Sequence, residues 1–320
     1  MISQSASADV VVVGSLNMDL IAYAPRLPSP GETLLGTRWM MAHGGKGGNQ
    51  AVAAARLGAG VAMVGRVGQD AYGAALRDAL LSEDIDCEGV LIDPAHPTGM
   101  AFITVGMQGQ NSIVVIPGCN AELSSADMDA HREKIAAARV VICQLETPLS
   151  TVARAIGLAR ELDRFVILNP APAPEPELLD EELLSGVDLL IPNQGETGHL
   201  TGHEVTSVEQ AKVAADAFRS RGCGAVIVTL GEKGVVYVDR DCACHYPARV
   251  TEVVDATGAG DTFIGAVAAC LSRGEEMAMA IRFGQCAAAI SVGRRGAQSS
   301  IPTRAEVTPL MQAGTSQAGD

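Results

Sequence analysis

Apolar residues in this chain come in short blocks separated by glycine, proline and polar turns. Val10–Val13 is a β-branched run closed by Gly14, the pattern of a strand buried on both faces of a parallel sheet. Asn49 to Leu57 is Ala-rich and stopped by Gly58, which predicts a helix. Val61–Val64 predicts a strand and residues 71–83 a helix. Ala101–Val105 and Ser112–Ile116 flank a polar Gly106–Asn111 stretch and predict a β-hairpin. From 124 onward, strands expected at Val140–Gln144, Phe165–Leu168, Leu189–Ile191 and Ala225–Leu230 alternate with helical segments, and about 260 to 292 reads as helical.

That alternation implies an α/β layered fold, a mostly parallel central sheet flanked by helices. Residues 20–45, rich in Pro and Gly, do not read as a helix. Together with the hairpin they are expected to form a small second sheet, a lid built from parts of about 18–45 and 98–117. No repeat or linker divides the chain, so residues 1–313 read as one domain and 314–320 as a disordered tail. The Pro-rich Pro170–Pro176 run follows a strand directly, where an active-site loop would lie, and marks no boundary.

Composition narrows the function. Hydrophobic residues make up 48% of the 320, enough for a large core, while aromatics make up only 3%. Small residues dominate instead, which suits close packing of helix on sheet. The net charge of -14 comes without any basic run and argues against a nucleic-acid partner. Single lysines and helix N-termini can still hold phosphates in such a protein. The eight cysteines include no Cys-x-x-Cys, and several, such as Cys143, sit in apolar runs and read as buried reduced thiols. Cys242-Ala-Cys244-His245 has the wrong spacing for zinc, and His199 and His203 read as surface residues. The first basic residue is Arg26 and no stretch approaches a membrane span, so a soluble, cytoplasmic protein with no membrane partner is expected.

The strongest local chemistry is Asp255-Ala-Thr-Gly-Ala-Gly-Asp261, followed by an Ala-rich helical run. Gly258, Ala259 and Gly260 place successive N–H groups at a helix N-terminus, an anion pocket suited to charge developing in a transition state. Asp261 at its mouth is positioned as general base for a hydroxyl attacking phosphorus. The plainer alternative is that Asp261 only caps the helix. A P-loop is excluded because Lys46 is followed by Gly47, and the first strand ends without the Gly-x-Gly of a dinucleotide fold.

Read together, the motifs resemble the PfkB, or ribokinase-like, sugar kinases. Gly44-Gly-Lys46-Gly-Gly-Asn49-Gln50 and Asp255 to Asp261 match the two family signatures. Between and around them stand Gly14 to Asp19, Pro30 to Thr33, Gln144 to Pro148, Asn169 to Ala173, Pro192-Asn193, Thr229 to Gly234 and Gly296 to Pro302, in family order from about residue 9 to 310. The resemblance implies a phosphotransferase moving the γ-phosphate of ATP, with Mg²⁺, onto the 5-hydroxyl of D-ribose. Asn17, Asp19, Gly45, Lys46, Asn49 and Glu146, with Asp261, match sugar-binding positions. Lys46 and Glu146 forming a plain ion pair is the alternative there. Asn193 and Glu196 match the element that positions Mg²⁺ and phosphate, Glu196 through water. Thr229, Gly231, Glu232, Lys233, Gly234, Gly260 and Gln285 match nucleotide-binding positions.

Asp255, Thr257, Ser291, Arg294, Gly296 and Ser300 match a site for a monovalent cation, K⁺, the alternative being a pairing of Asp255 with Arg294 or Arg295. The resemblance also implies a homodimer through the lid. Departures are few: Ala256 stands where Thr is common, Gly195 sits in the Asn-x-x-Glu turn, and Cys119 stands where a smaller residue is usual. Another sugar or nucleoside as acceptor, and a non-catalytic sugar sensor, remain as rival readings. The early loops offer only Tyr23 and Trp39 to stack a base.

Overall fold

Residues 8–107 and 109–315 are described by a computed structural model, in which two separate sheets carry the chain. The large sheet has nine strands: β1 (Val10–Val13), β4 (Val61–Gly68), β5 (Asp86–Asp93), β8 (Val140–Cys143), β9 (Phe165–Leu168), β10 (Leu189–Leu190), β11 (Ala225–Thr229), β12 (Val235–Val238) and β13 (Ala243–Tyr246). Their spatial order is β13-β12-β11-β10-β9-β8-β1-β4-β5, parallel from β11 to β5, with β12 and β13 added antiparallel at one edge. The small sheet comprises β2 (Asn17–Tyr23), β3 (Arg38–Gly44), β6 (Gly99–Val105) and β7 (Asn111–Ile116), in the order β3-β2-β6-β7. It is mixed rather than purely antiparallel, since β2 and β6 run side by side in the same direction.

The helices are α1 (Lys46–Arg56), α2 (Ala71–Ser82), α3 (Ser125–Ala130), α4 (Arg132–Ala137), α5 (Leu149–Glu161), α6 (Glu181–Leu184), α7 (Gln194–Thr201), α8 (Val208–Ser220), α9 (Ala259–Ser272), α10 (Met277–Val292) and α11 (Arg304–Thr315). Strand β1 explains how they divide. Its side chains alternate, so Val10 and Val12 enter one core with α1, α2, α9 and α10, while Val11 and Val13 enter the other with α3, α5 and α8. Every β1 side chain is fully buried, and each such Val contributes roughly 1.5–3 kcal/mol.

The expected α/β layers, the hairpin and the separate small sheet are all present. Three differences are physical. The helical stretch at 260–292 is two helices, because the chain turns at Gly274 with φ 77. The predicted helix at Asn49 begins three residues earlier, at Lys46. Strands β5, β12 and β13 lack a clear sequence signal: β5 carries charges at its ends, and the edge strand β13 is half-exposed. Helix α11 runs to Thr315, and the rest of the expected tail lies outside the described residues.

Candidate active site

Close packing of two helices creates the site. Helix α1 turns Ala51, Val52, Ala53 and Ala54 inward, and α9 answers with Gly265, Ala266 and Ala268. A Cβ on Gly265 would lie 2.4 Å from the Cβ of Ala53, so only glycine permits this approach. The scarcity of aromatics thus has a structural purpose: the first turns of the two helices meet. There Asn49 Nδ2 donates to Asp261 Oδ2 at 2.9 Å, and Gln50 Nε2 donates to Asp261 Oδ1 at 2.8 Å.

The meeting point lies beyond the carboxyl ends of the parallel strands, where open α/β sheets bind ligands. Gly14 to Leu16 leave β1, Gln144 to Glu146 leave β8, Asn169 leaves β9, Asn193 follows β10 and Thr229 ends β11. A cavity of ≈ 170 Å³ is lined by Lys46, Asn169, Ile191, Asn193, Glu196, Thr229, Gly258, Gly260, Asp261 and Ile264. Both signature motifs therefore border one space, with the Asn193–Glu196 turn between them.

Gly45 caps α1 with φ 82, and a Cβ there would stand 2.7 Å from the Asn17 nitrogen. A Cβ on Gly44 would likewise fall 2.3 Å from Asp19 Oδ2, so the two glycines let the loop press against Asn17 and Asp19, which β2 carries. Glu146 accepts the backbone N–H of Lys46 at 3.0 Å and the hydroxyl of Ser15. Its negative charge sits on the positive end of α1. No ion pair joins Lys46 to Glu146 among the described residues, so the simple-pair alternative does not describe this contact.

Charge is concentrated here. Burial pushes the Asp19 carboxyl up to about 7, with Glu146 and Asp261 adding like-charge repulsion. Burial alone would lower Lys46, but Asp261, Glu146 and Glu196 outweigh it and hold its ammonium above the ordinary range. Glu196 is pushed up mainly by burial.

At the N-terminus of α9, Gly258 is the cap with φ 73. The Ala259 N–H turns back to the Ala256 carbonyl at 3.3 Å, whereas Gly260 lines the cavity. Asn193 and Glu196 form a capping box on α7: Asn193 Oδ1 accepts from the Glu196 N–H, and Glu196 accepts from the N–H and Nδ2 of Asn193, each at 2.8 Å. Gly195 leaves that box intact. Thr229 pairs with Asn193 by an isolated bridge, and Gly231–Lys233 form the turn into β12. Lys233 Nζ reaches the Thr206 carbonyl at 2.7 Å, while Glu232 is exposed. Gln285 stands apart from the cavity and holds the Tyr246 and Pro247 carbonyls at 2.9 and 3.0 Å.

The expected cation residues converge on one loop. Asp255 accepts the N–H of Thr257 at 3.0 Å and of Gly296 at 2.9 Å. Burial opposes its charge, but hydrogen bonds from Thr257 and Gly296, then Arg295, leave its carboxyl below the ordinary range. Ser291 and Ser300 share a hydrogen bond of 2.8 Å. Arg294 turns away, pairing with Glu306 at 2.5 Å, so it neither reaches Asp255 nor joins this cluster by its side chain.

Sequence reasoning assigned no role to Gln50, Gln144, Asn169 or Asn120. All four are buried. Asn120 donates to Asn17 Oδ1 at 2.8 Å and exchanges hydrogen bonds with the Leu16 backbone. Gln50, Gln144 and Asn169 lie inside the motifs and Asn120 next to Cys119, and that placement was the available signal.

The pfkB family carbohydrate kinase profile matches residues 7–304. The chain is 42% identical over 303 residues to a ribokinase of Haemophilus influenzae, covering 95% of this chain and 98% of that one. It is 37% identical to a deoxyribokinase of Salmonella typhi, over 92% of this chain and 96% of the relative. Among solved structures, an Arabidopsis thaliana ribokinase complexed with ribose and ATP superposes with a TM-score of 0.88 at 32% identity, covering 96% and 99% of the two chains. With its two signatures folded onto one cavity, the chain belongs to the pfkB family of carbohydrate kinases and is a phosphotransferase with an alcohol group as acceptor.

Proposed function

We propose that the protein transfers the γ-phosphate of ATP to the 5-hydroxyl of D-ribose, giving ribose 5-phosphate and ADP. The observation that carries this reading is Asp261: a buried carboxylate in the first turn of α9, bordering the cavity and held at both oxygens by amides of the other signature. Similarity to ribokinases supports ribose as acceptor. The sugar is bound by Asn17, Asp19, Gly45, Lys46, Asn49 and Glu146, whose mixture of amides and carboxylates suits a polyhydroxyl ligand. Asn49 Oδ1 is buried without a hydrogen-bond partner among the described residues and has a lone pair to offer a sugar hydroxyl. Asp261 takes the proton of the attacking hydroxyl. Backbone N–H groups of Gly258–Gly260 stabilise charge on the transferred phosphoryl group, those of Gly258 and Gly260 first, because Ala259 is turned back. Lys46 adds positive charge beside them.

Thr229, Gly231, Glu232, Lys233 and Gly234 line the nucleotide side with Asn193, and Gln285 contributes by holding the loop at Tyr246–Pro247. Glu196, with Asn193, suits Mg²⁺ held through water: its carboxylate is disfavoured by burial, and a divalent cation relieves that cost. Mg²⁺ supplies charge neutralisation to the ATP phosphates. Asp255, Thr257, Ser291, Gly296 and Ser300 suit K⁺, because Arg294 pairs with Glu306 instead and Arg295 acts on Asp255 through its charge without forming a salt bridge among the described residues.

Residues 1–313 act as one kinase unit, with the small sheet as lid over the sugar. The lid presents Met41, Phe102 and Val114 in one exposed cross-strand row with Leu20, which supports a homodimer formed lid to lid. The similarity to a deoxyribokinase favours deoxyribose as the second reading. Phosphate transfer measured side by side on ribose, deoxyribose, adenosine and fructose decides it. Ribose is expected to give the highest kcat/KM; a preference for any other acceptor overturns the assignment.

A further inference from the structure

We infer that Gln50 is a positioning residue for Asp261, the last link of a directional chain of buried amides that starts at a backbone carbonyl of β10's exit. The inference rests on Asp261 being the base. Asn169 Nδ2 donates to the Ile191 carbonyl at 2.9 Å. A carbonyl can only accept, so the orientation of the Asn169 amide is fixed, and its Oδ1 must face Gln50. Gln50 Nε2 then donates to Asn169 Oδ1 at 3.2 Å and, with its second N–H, to Asp261 Oδ1 at 2.8 Å. That leaves Gln50 Oε1 to accept from Gln144 Nε2 at 2.7 Å.

Turning the Gln50 amide over would set an oxygen against two acceptors and a nitrogen against a donor. The order of donors is therefore dictated by Ile191 and passed, group by group, to the carboxylate. Gln50 and Gln144 are fully buried, so no exchange with water relaxes the chain.

The far end shows the direction. Gln144 Oε1 is buried with no hydrogen-bond partner among the described residues, close against Gly14, where a Cβ would come within 1.9 Å of it. An unpaired acceptor is unfavourable, and it is the remainder that this one ordering of donors forces. The arrangement thus spends stability to hold Asp261 in one plane. Asn49 fixes the other oxygen, but its own Oδ1 belongs to the sugar side; Gln50 is not among the cavity-lining residues and meets the cavity wall only through Asn169 and Asp261, of which Asp261 is the proposed base.

The test replaces each glutamine by an isosteric thioether. Gln50→Met is expected to lower kcat at least ~30-fold while the Kd for sugar, measured calorimetrically without ATP, changes less than about 3-fold. Gln144→Met, which contacts neither Asp261 nor the cavity, is expected to lower kcat by about 3- to 10-fold. The double variant should be no slower than Gln50→Met alone, since both changes break one chain. Multiplicative losses, kcat within about 2-fold of wild type in a folded variant, or kcat and Kd worsening together would each overturn the inference. If Gln50→Met does not fold, the Gln144→Met result decides alone. Asp261→Asn, assayed in parallel on whichever sugar turns over, separates the two claims. An active Asp261→Asn removes the base itself; an inactive one beside an unaffected Gln50→Met removes only the positioning.

Discussion

Asn49 and Asp261 are joined by a 2.9 Å hydrogen bond across 212 positions of the chain. It links the first turn of α1 to the first turn of α9 and makes one site of two distant motifs. The amide holds the carboxylate, and the small residues of both helices set the distance between them.

Asp261→Asn is expected to lower kcat by at least ~10²-fold while ATP and sugar still bind, because the amide keeps the shape but cannot accept the hydroxyl proton. Steady-state kinetics combined with calorimetric binding check both halves. Near-normal kcat would remove Asp261 as base.

Asp19 makes stability depend on pH. Its carboxyl is raised from 3.8 to about 7 by burial, then by Glu146 and Asp261. The folded chain keeps a proton there that the unfolded chain has released, so this contribution is full below about pH 4 and lost as pH rises to about 7. Asp19→Asn carries no such charge. It is expected to equal wild type near pH 4 and to be more stable by on the order of a few kcal/mol near pH 8. Urea unfolding of the sugar-free protein at several pH values tests this, and a difference that does not vary with pH would refute it.

Potassium is expected to raise kcat several-fold over sodium or tetramethylammonium at fixed ionic strength. Asp255 orders the Gly296 loop against Thr257, and a cation held there would stiffen the approach to the Gly258–Gly260 turn. Asp255→Asn should abolish the difference between cations. Equal rates in all three salts would mean that the hydrogen bonds alone suffice.

Val114→Lys places a charge in the exposed lid row, opposite Phe102. Val114 is 56% exposed and Phe102 45%, and this is the row that the proposed lid-to-lid dimer would cover. The variant is expected to be monomeric by sedimentation at micromolar concentration where wild type is dimeric. A monomeric wild type, with and without sugar, would end the proposal.

Local pattern determined much of this protein. The Val10–Val13 block could only be a strand buried twice over, and Gly45 and Gly258 marked the starts of α1 and α9, because the positive φ each adopts disfavours other residues. The family signatures carried the proposed site residues along with them. Sequence did not show where the 260–292 stretch breaks, that β2 and β6 run parallel, or that Arg294 pairs with Glu306 rather than with the Asp255 cluster. Nor did it single out Gln50, one polar residue in an Ala-rich helix. Helix periodicity says which face of α1 is buried, but not that a carboxylate from 211 positions away will be buried against it. Partners in a hydrogen-bond chain are chosen by three-dimensional proximity and by which groups can donate, and only the packing of α1 on α9 over the strand ends supplies both.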